Sequence, residues 1–576
     1  MGSESFCREA VSAVPCGAAG SANAAKKPAV SADAAEKFCR EILSAISRGR
    51  VSGKAELNSL KLEIAKKFRL PSLPTDPDIL MHAKKPSPRL RALLSIKPVR
   101  SLSGVAVVAV MVKPHKCPGS CIYCPSGIGR EMPKSYTGRE PAALRALEFN
   151  FDPFLQARNR IEQLELTGHS TGKIELIVMG GTFLSTPKAY QDSFVKGALD
   201  AIAGGKQKSS TLTQAKKTAE RSVRRVVGIT YETRPDFCSK HEINRVLSLG
   251  GTRVELGVQM PDDAIYGKIK RGHTVKDVVL ATSRLKDSAL KVCCHIMPGL
   301  PGSTPENDLS RFKELFSNPD FRPDMLKFYP CLVMEGTELH KEWRAGNYEP
   351  LETQEAAELV AEMKSFIPPY CRVMRIQRDI PSNLVSAGVK KSNLRQLAAE
   401  AAKRKGVKCR CIRCREAGLT SYLRGKNAGT ETAGTERGAG SAAAARGAKI
   451  SHLEYEASRG TEIFISADDE KRDLLFGFCR LRIPVAPFRP EITARTALVR
   501  ELRVYGEALP LGIRKAGAFQ HAGLGKKLLA DAEETARSQF GMNKMLILSG
   551  LGVRPYYRGL GYRAKGVYMG KALRQN

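Results

Sequence analysis

Apolar positions recur along this chain with two different periods. Between residues 34 and 68 they fall every three to four residues, at Phe38, Ile42, Leu43 and Ile46 and again at Leu57, Leu60 and Ile64, with Lys and Arg common between them. This spacing predicts two basic amphipathic helices. The Pro-rich tract that follows, through Pro71, Pro74, Pro77, Pro86 and Pro88, predicts extended chain, because a residue before proline avoids helical geometry. From residue 105 the pattern changes to short β-branched runs at 105–112, 174–179, 226–231, 253–258, 291–297 and 325–329, each followed by a helical stretch. That alternation predicts an α/β fold with a parallel sheet, and six runs predict a partial (β/α)6 barrel whose strand C-terminal ends carry the site. After residue 450 a smaller α/β pattern appears, with strands at 461–466, 473–482, 496–505, 544–549 and 564–569 and a helix at 524–538.

Charge narrows the class of partner. The 576 residues include 93 Lys and Arg against 58 Asp and Glu, a formal net charge of +35, which points to a polyanion, most simply nucleic acid, with a membrane surface as the alternative. Between Gly388 and Lys426 there are 12 Lys or Arg and 2 Glu. Lys390, Lys391, Arg395, Arg410 and Arg413 there, with Lys84 and Lys85 in the Pro-rich tract, are candidate phosphate contacts; a solvated basic face is the structural alternative. No run of 18 or more apolar residues occurs, so no membrane association is expected and the protein is expected in the cytoplasm. The 15 Cys cluster at short spacing instead of spreading like a disulfide framework, which favours metal ligation in a reducing compartment.

Cys117, Cys121 and Cys124 form a Cys-x3-Cys-x2-Cys array directly after the first barrel run. Three thiolates can hold three irons of a 4Fe-4S cluster and leave the fourth open, whereas a closed zinc site wants four ligands and only His115 is nearby. The array resembles the radical S-adenosylmethionine (SAM) signature, with the aromatic Tyr123 before its last Cys. Gly180, Gly181 and Thr182 after the second run, Glu232 after the third, Gln259 after the fourth and His295 in the fifth are the polar or small groups expected around SAM. Lys327, inside the sixth run, must be paired or functional. Cys409, Cys411 and Cys414 repeat a metal spacing that fits zinc, with Cys371, His452 and Cys479 as candidate fourth ligands.

Gln520-His-Ala-Gly523-Leu-Gly525-Lys526 opens the helix at 524–538, and amides at such a turn cradle a pyrophosphate. With the strand before it and Tyr556-Tyr557 after it, this region resembles a GNAT acetyltransferase domain.

A radical SAM barrel joined to a GNAT domain through a Cys-rich basic module resembles the Elongator catalytic-subunit family in its archaeal type. The matching segments include 135–141 (Ser-Tyr-Thr-Gly-Arg-Glu-Pro), 178–183 (Val-Met-Gly-Gly-Thr-Phe), 326–330 (Leu-Lys-Phe-Tyr-Pro), 499–506 (Val-Arg-Glu-Leu-Arg-Val-Tyr-Gly), 519–521 (Phe-Gln-His) and 556–562 (Tyr-Tyr-Arg-Gly-Leu-Gly-Tyr). The division expected is a disordered 1–33, a basic helical tRNA-binding arm 34–95, a radical SAM domain 96–367, a basic zinc-binding linker 368–424, a flexible insertion 425–449 and a GNAT domain 450–576. The resemblance implies tRNA carboxymethyluridine synthesis. A SAM-derived 5′-deoxyadenosyl radical takes hydrogen from the acetyl group of acetyl-CoA, and the carbon radical adds to carbon 5 of wobble uridine 34 in the anticodon stem-loop. It further implies an acetyl-CoA site at Lys173, Glu501, Leu502, Arg503, Val504, Gln520, Gly523, Leu524, Gly525, Lys526 and Tyr557. The catalytic groups it implies are Lys327, Tyr556, Tyr557 and Glu501. The electron donor is left open and a homodimer is admitted. Two other classes compete: a protein lysine acetyltransferase with Glu501 as base and a structural iron-sulfur domain, and a non-catalytic RNA-binding assembly subunit.

Overall fold

The computed structural model describes residues 32–70, 73–83, 104–125, 132–205, 207–420, 448–505 and 523–573, with positions 87, 90, 93 and 94. Expectations for residues 1–31, Lys84, Lys85, Gln520, His521 and most of the 425–449 segment lie outside the described residues. The chain divides into two compact units, Met1–Lys84 and Lys85–Asn576.

In the first unit, α1 (Ala32–Ser47) and α2 (Lys54–Lys67) bury Phe38, Ile42, Ile46, Leu57 and Ile64, the stripe their spacing predicts. A third helix, α3 (Asp76–Met81), stands where extended chain was expected. Thr75 and Asp78 close a capping box, and Pro77 falls in the first turn, where its missing N–H leaves no helical bond unmade. Asp76 ties α3 to α2 by accepting from Lys54 at 2.8 Å and from Lys61.

In the second unit, seven parallel strands form an open half-barrel: β1 (Ala106–Met111), β2 (Lys173–Met179), β3 (Arg225–Thr233), β4 (Arg253–Gln259), β5 (Lys291–Ile296), β6 (Met325–Phe328) and, beyond the antiparallel partners β7 (Val333–Met334) and β9 (Val385–Ala387), β8 (Arg372–Ile376). The sheet order is β1-β2-β3-β4-β5-β6-β8. Six runs were read from sequence; β8 escapes that reading because basic residues interrupt it inside a segment assigned to the linker. The structure neutralises Arg372 with Glu416 at 2.5 Å and the Tyr505 hydroxyl at 2.7 Å, so it can be buried.

The C-terminal sheet runs β10 (Lys449–Ala457), β11 (Gly460–Asp469), β12 (Leu474–Ile483), β13 (Thr496–Val504), β14 (Lys544–Ile547), β16 (Tyr568–Ala572) and β15 (Arg563–Lys565), with the helix Leu524–Ser538 buried against it through Leu528, Leu529, Ala532 and Ala536. Two differences from the sequence reading appear. The strand expected at 564–569 is the hairpin β15–β16, turning at Gly566 with φ +57°. β10 was not expected, because its Glu, His and Lys mask the alternation of an exposed edge strand.

Barrel and C-terminal domain share a tight interface. The loop after β14 lies on β3 so closely that a Cβ on Gly550 would fall 2.3 Å from the backbone of Val227, where β3 bulges. Beside it, fully buried Arg500 donates to Asp324 at 2.8 and 2.5 Å, to Glu462 at 3.0 Å and to the Leu290 carbonyl at 2.9 Å. Arg482 bridges Glu462 at 3.0 Å and Asp287 at 2.8 Å. Burial works against the Asp324 charge, but Arg500, Lys286 and Arg480 outweigh it and hold the carboxyl far below its usual range. Asp324→Ala therefore leaves Glu462, which Arg482 also engages, to balance the buried cations Arg500 and Lys286, and is expected to cost about 3–5 kcal/mol, read as a lowered denaturant midpoint against the unsubstituted chain.

Candidate functional site

Two cavities open at opposite ends of the barrel. The upper one, at the strand C-terminal ends, is lined by Cys117, Cys121 and Cys124 together with Tyr123, Gly181, Thr182, Glu232, Gln259, His295 and Lys327. It gathers residues from every expected strand end. Gly180 is the exception, since it does not line the cavity: with φ +116° it packs its backbone against Val112, and a Cβ there would come within 2.8 Å of that side chain. Gly181 (φ +78°) faces the cavity beside the His115 ring.

The cluster loop is held by groups suited to thiolates. Arg271 Nη1 lies 3.3 Å from Cys121 Sγ, and the Ser135 amide donates to Cys124 Sγ at 3.2 Å. The three thiols line one wall of the cavity together, a donor set that fits three irons of a cluster. Around them Thr233 Oγ1, Arg234 Nη1 and Gln259 Oε1 are buried without hydrogen-bond partners. Such orphaned donors and acceptors fit a polar ligand like SAM.

Lys327 is buried in this cavity and paired with Glu255, which also bonds His295 Nε2 at 2.9 Å. Burial disfavours the Glu255 charge, yet Lys327, His295 and Arg253 outweigh it and hold the carboxyl well below its usual range. Burial likewise opposes the Lys327 charge, and Glu255, Tyr329 and Glu232 reverse that and raise its pKa. Lys327 is thus a fixed cation and not a proton donor near neutrality. Tyr136 donates to Glu232 at 2.7 Å on the same wall. Arg234 stands in the polar group 232–235 expected at the end of the third run; sequence reasoning missed Tyr136, Glu255 and Arg271, of which Glu255 carried a signal, a lone carboxylate inside a β-branched run.

The lower cavity, about 580 Å³, lies between the strand N-terminal ends and the C-terminal domain. Lys173, Glu501, Leu502, Arg503, Val504, Gly523, Gly525, Lys526, Tyr556 and Tyr557 line it, as expected from the resemblance. Leu524 does not; it turns into the domain core. The first residues of β2, β3, β4 and β5, namely Lys173, Arg225, Arg253 and Lys291, form a basic floor that sequence reasoning recognised only at Lys173. Burial and Arg503 together lower the Lys173 amine pKa.

One edge of this cavity is unpaired backbone. β13 pairs with β14 only over Thr496–Val499 and Lys544–Ile547, so among the described residues Glu501–Val504 have no strand on that side. The helix Leu524–Ser538 begins beside it after Gly523 (φ +78°), and a Cβ on Gly525 would sit 3.1 Å from the Tyr556 hydroxyl. Free strand amides and a helix N-terminus fit a pantetheine and a pyrophosphate. Glu501, however, accepts from Arg480 at 3.0 Å; burial opposes its charge, but Arg480, Lys291 and Arg503 hold its pKa below the ordinary value.

Cys409, Cys411 and Cys414 place their sulfurs within 4.8 Å of one another, a donor set that fits zinc. None of the three expected fourth ligands joins that group. His452 bonds Asp531 at 2.6 Å, Cys479 is packed in the C-terminal core, and buried Cys371 accepts the Ile412 amide at 2.9 Å through its carbonyl while its thiol stands outside the group. Lys390, Lys391 and Arg410 are exposed, while Arg395 and Arg413 are partly buried. Burial and then Arg413 push the Arg395 pKa down to about 10. No helix of the described residues is long and apolar enough to cross a membrane.

Comparison with known proteins adds to this geometry. Residues 111–312 match the Radical SAM superfamily, 323–404 the Radical_SAM C-terminal domain and 35–102 the ELP3 N-terminal domain. The chain is 49% identical over 534 residues to the tRNA uridine(34) acetyltransferase of Methanocaldococcus jannaschii, covering 92% of this chain and 96% of that one. It is 41% identical over 534 residues to the Elongator complex protein 3 of Homo sapiens, covering 90% and 93%. The solved structure of the archaeal Methanocaldococcus infernus Elp3 with an N-terminus deletion superposes with TM-score 0.70 at 47% identity, over 82% of this chain and 100% of that chain. The chain belongs to the family of tRNA uridine(34) acetyltransferases that includes Elongator complex protein 3.

Proposed function

We propose that this chain modifies carbon 5 of wobble uridine in tRNA to 5-carboxymethyluridine, drawing on SAM in the upper cavity and acetyl-CoA in the lower one. The observation that carries the reading is the pairing of two cavities on one barrel: a three-thiol pocket rich in orphaned polar atoms, and a splayed strand edge beside a helix N-terminus. When bound, a 4Fe-4S cluster with SAM supplies one-electron cleavage of SAM to a hydrogen-abstracting radical, which an unactivated acetyl methyl and carbon 5 of uridine require.

The chain's own residues do the rest. Cys117, Cys121 and Cys124 hold the cluster, and Arg271 with the Ser135 amide offset thiolate charge. Tyr123, Thr233, Arg234 and Gln259 offer polar atoms to SAM, while Gly181 and Thr182 give it close backbone. Lys327, locked by Glu255, presents fixed positive charge to substrate, with Glu232 and Tyr136 opposite it. Below, the Glu501–Val504 edge pairs the pantetheine, Lys526 and the helix amides take the pyrophosphate, and Lys173 and Tyr557 flank the thioester. Lys390, Lys391, Arg395, Arg410 and Arg413 meet tRNA phosphates around a zinc held by Cys409, Cys411 and Cys414. The lysine acetyltransferase alternative is disfavoured by Glu501, whose ion pair with Arg480 makes it a weak base.

The test is anaerobic reconstitution with iron and sulfide, then SAM, acetyl-CoA, a one-electron reductant and unmodified tRNA. Nucleoside mass analysis is expected to show carboxymethyluridine only when SAM and acetyl-CoA are both present; CoA release without it would overturn the reading. With Cys121→Ala the modified base and 5′-deoxyadenosine are expected to vanish while acetyl-CoA affinity stays within about twofold, since that site lies at the other barrel end. In Gly525→Val the added methyls meet Tyr556, and the acetyl-CoA Kd measured by calorimetry is expected to rise about tenfold or more.

A further inference from the structure

One layer of side chains separates the two cavities. At mid-depth the barrel interior holds Glu175 of β2, Thr230 of β3, Arg253 and Glu255 of β4 and Cys293 of β5, where barrels usually pack branched apolar residues. Arg253 Nη1 lies 2.5 Å from Glu175 Oε1, and its Nη2 lies 3.1 Å from Glu255 Oε1. Arg253 and Glu175 line the lower cavity, whereas Glu255, with its partners His295 and Lys327, lines the upper one. One guanidinium therefore stands between them.

Its fixing is incomplete. Arg253 Nε is buried with no partner, and Nη2 faces Glu255 Oε1 at 3.1 Å as an ion pair without hydrogen-bond alignment. Beside them Gly228 contributes no side chain, so the layer is thin next to Glu175. Under-satisfied ions in a core are poor stabilisers, and carboxylates on both sides give the guanidinium more than one resting partner. A metal site is the rival use, because Glu255, Cys293 and His295 lie within 4.8 Å of one another. Lys327 and Arg253 already neutralise Glu255, which leaves a cation little to gain there.

We propose that Arg253, held between Glu175 and Glu255, is a displaceable plug in a passage along the barrel axis through which the thioester end of acetyl-CoA passes from the lower cavity to the upper one. This rests on the reading above that acetyl-CoA binds below and SAM above. The pantetheine arm is slim and flexible enough to follow the axis, and moving it keeps the reacting acetyl group out of bulk water.

The test needs no cluster and no turnover. The full chain is incubated with an acyl-CoA whose short acyl group carries a diazirine, then irradiated; dinitrogen leaves and the carbene inserts into the nearest X–H bond, with no oxidant or reductant. Peptide mapping is expected to find adducts at upper residues such as His295 and Lys327 as well as at Tyr556 and Tyr557, all suppressed by excess acetyl-CoA. The double substitution Glu175→Met with Arg253→Met replaces the ion pair by a fixed apolar plug and is expected to cut the upper adducts about tenfold while leaving the lower ones. Glu175→Gln, which loosens the plug with little change of shape, is expected to raise the upper fraction, the opposite sign from a merely structural defect. Adducts confined to the lower cavity in the unsubstituted chain, or an upper fraction unmoved by the Met pair, would overturn the passage. Adducts that acetyl-CoA does not suppress anywhere would overturn the acetyl-CoA reading itself, and the passage with it.

Discussion

The arrangement depends on the buried ion group in which Asp324 and Glu462 clamp Arg500. Asp324 sits just before β6 of the barrel and accepts the Val292 amide of β5 at 2.8 Å, while Glu462 of β11 and Arg500 of β13 flank β12 in the C-terminal sheet. Each charge is worthless to stability unless its partner is present, so the group acts as a register pin between two sheets. It fixes where β13 lies against the barrel floor. Its next residues, Glu501–Val504, can therefore form one wall of a cavity whose opposite wall is Lys173, Arg225 and Lys291.

This junction changes what each half can do. A GNAT-like edge usually faces solvent, where an amine could approach the thioester. Here the strand N-terminal ends of the barrel close over it, and Gly550 and Gly552 let the following loop press backbone against β3 with no room for a side chain. The barrel in turn is used at both ends. Its C-terminal rim carries the thiol loop, as barrel geometry leads one to expect. Its N-terminal rim, ordinarily concerned with stability alone, lines a cavity with a row of basic residues.

Strand positions were legible because apolar runs bounded by Gly, Pro and polar groups report buried parallel strands, and the thiol loop was legible because its spacing alone restricts the metal. What escaped did so for local reasons. β8 carries Arg372, whose burial depends on Glu416 and Tyr505, partners 44 and 133 residues away. α3 hides behind prolines that its capping box tolerates. Glu255 and Arg253 read as anomalies in a strand until Glu175, Lys327 and His295 are placed around them. Glu501 shows the opposite failure: it was recognised as a cavity residue, but its ion pair with Arg480 is a tertiary fact that no spacing encodes.

That ion pair bears on the chemistry. A base that deprotonates an incoming amine must be free to take a proton near neutrality. Glu501 is held ionised by Arg480, Lys291 and Arg503, and Tyr557, which lines the same cavity, is buried so that its hydroxyl stays protonated. Neither can serve an amine nucleophile. Both suit a site that holds a thioester still and keeps water from it, leaving the bond-making step to another place. The upper cavity offers that place, with Lys327 fixed as a cation by Glu255 and the thiol loop alongside. The proposed separation of binding below from chemistry above rests on which charges are already paired.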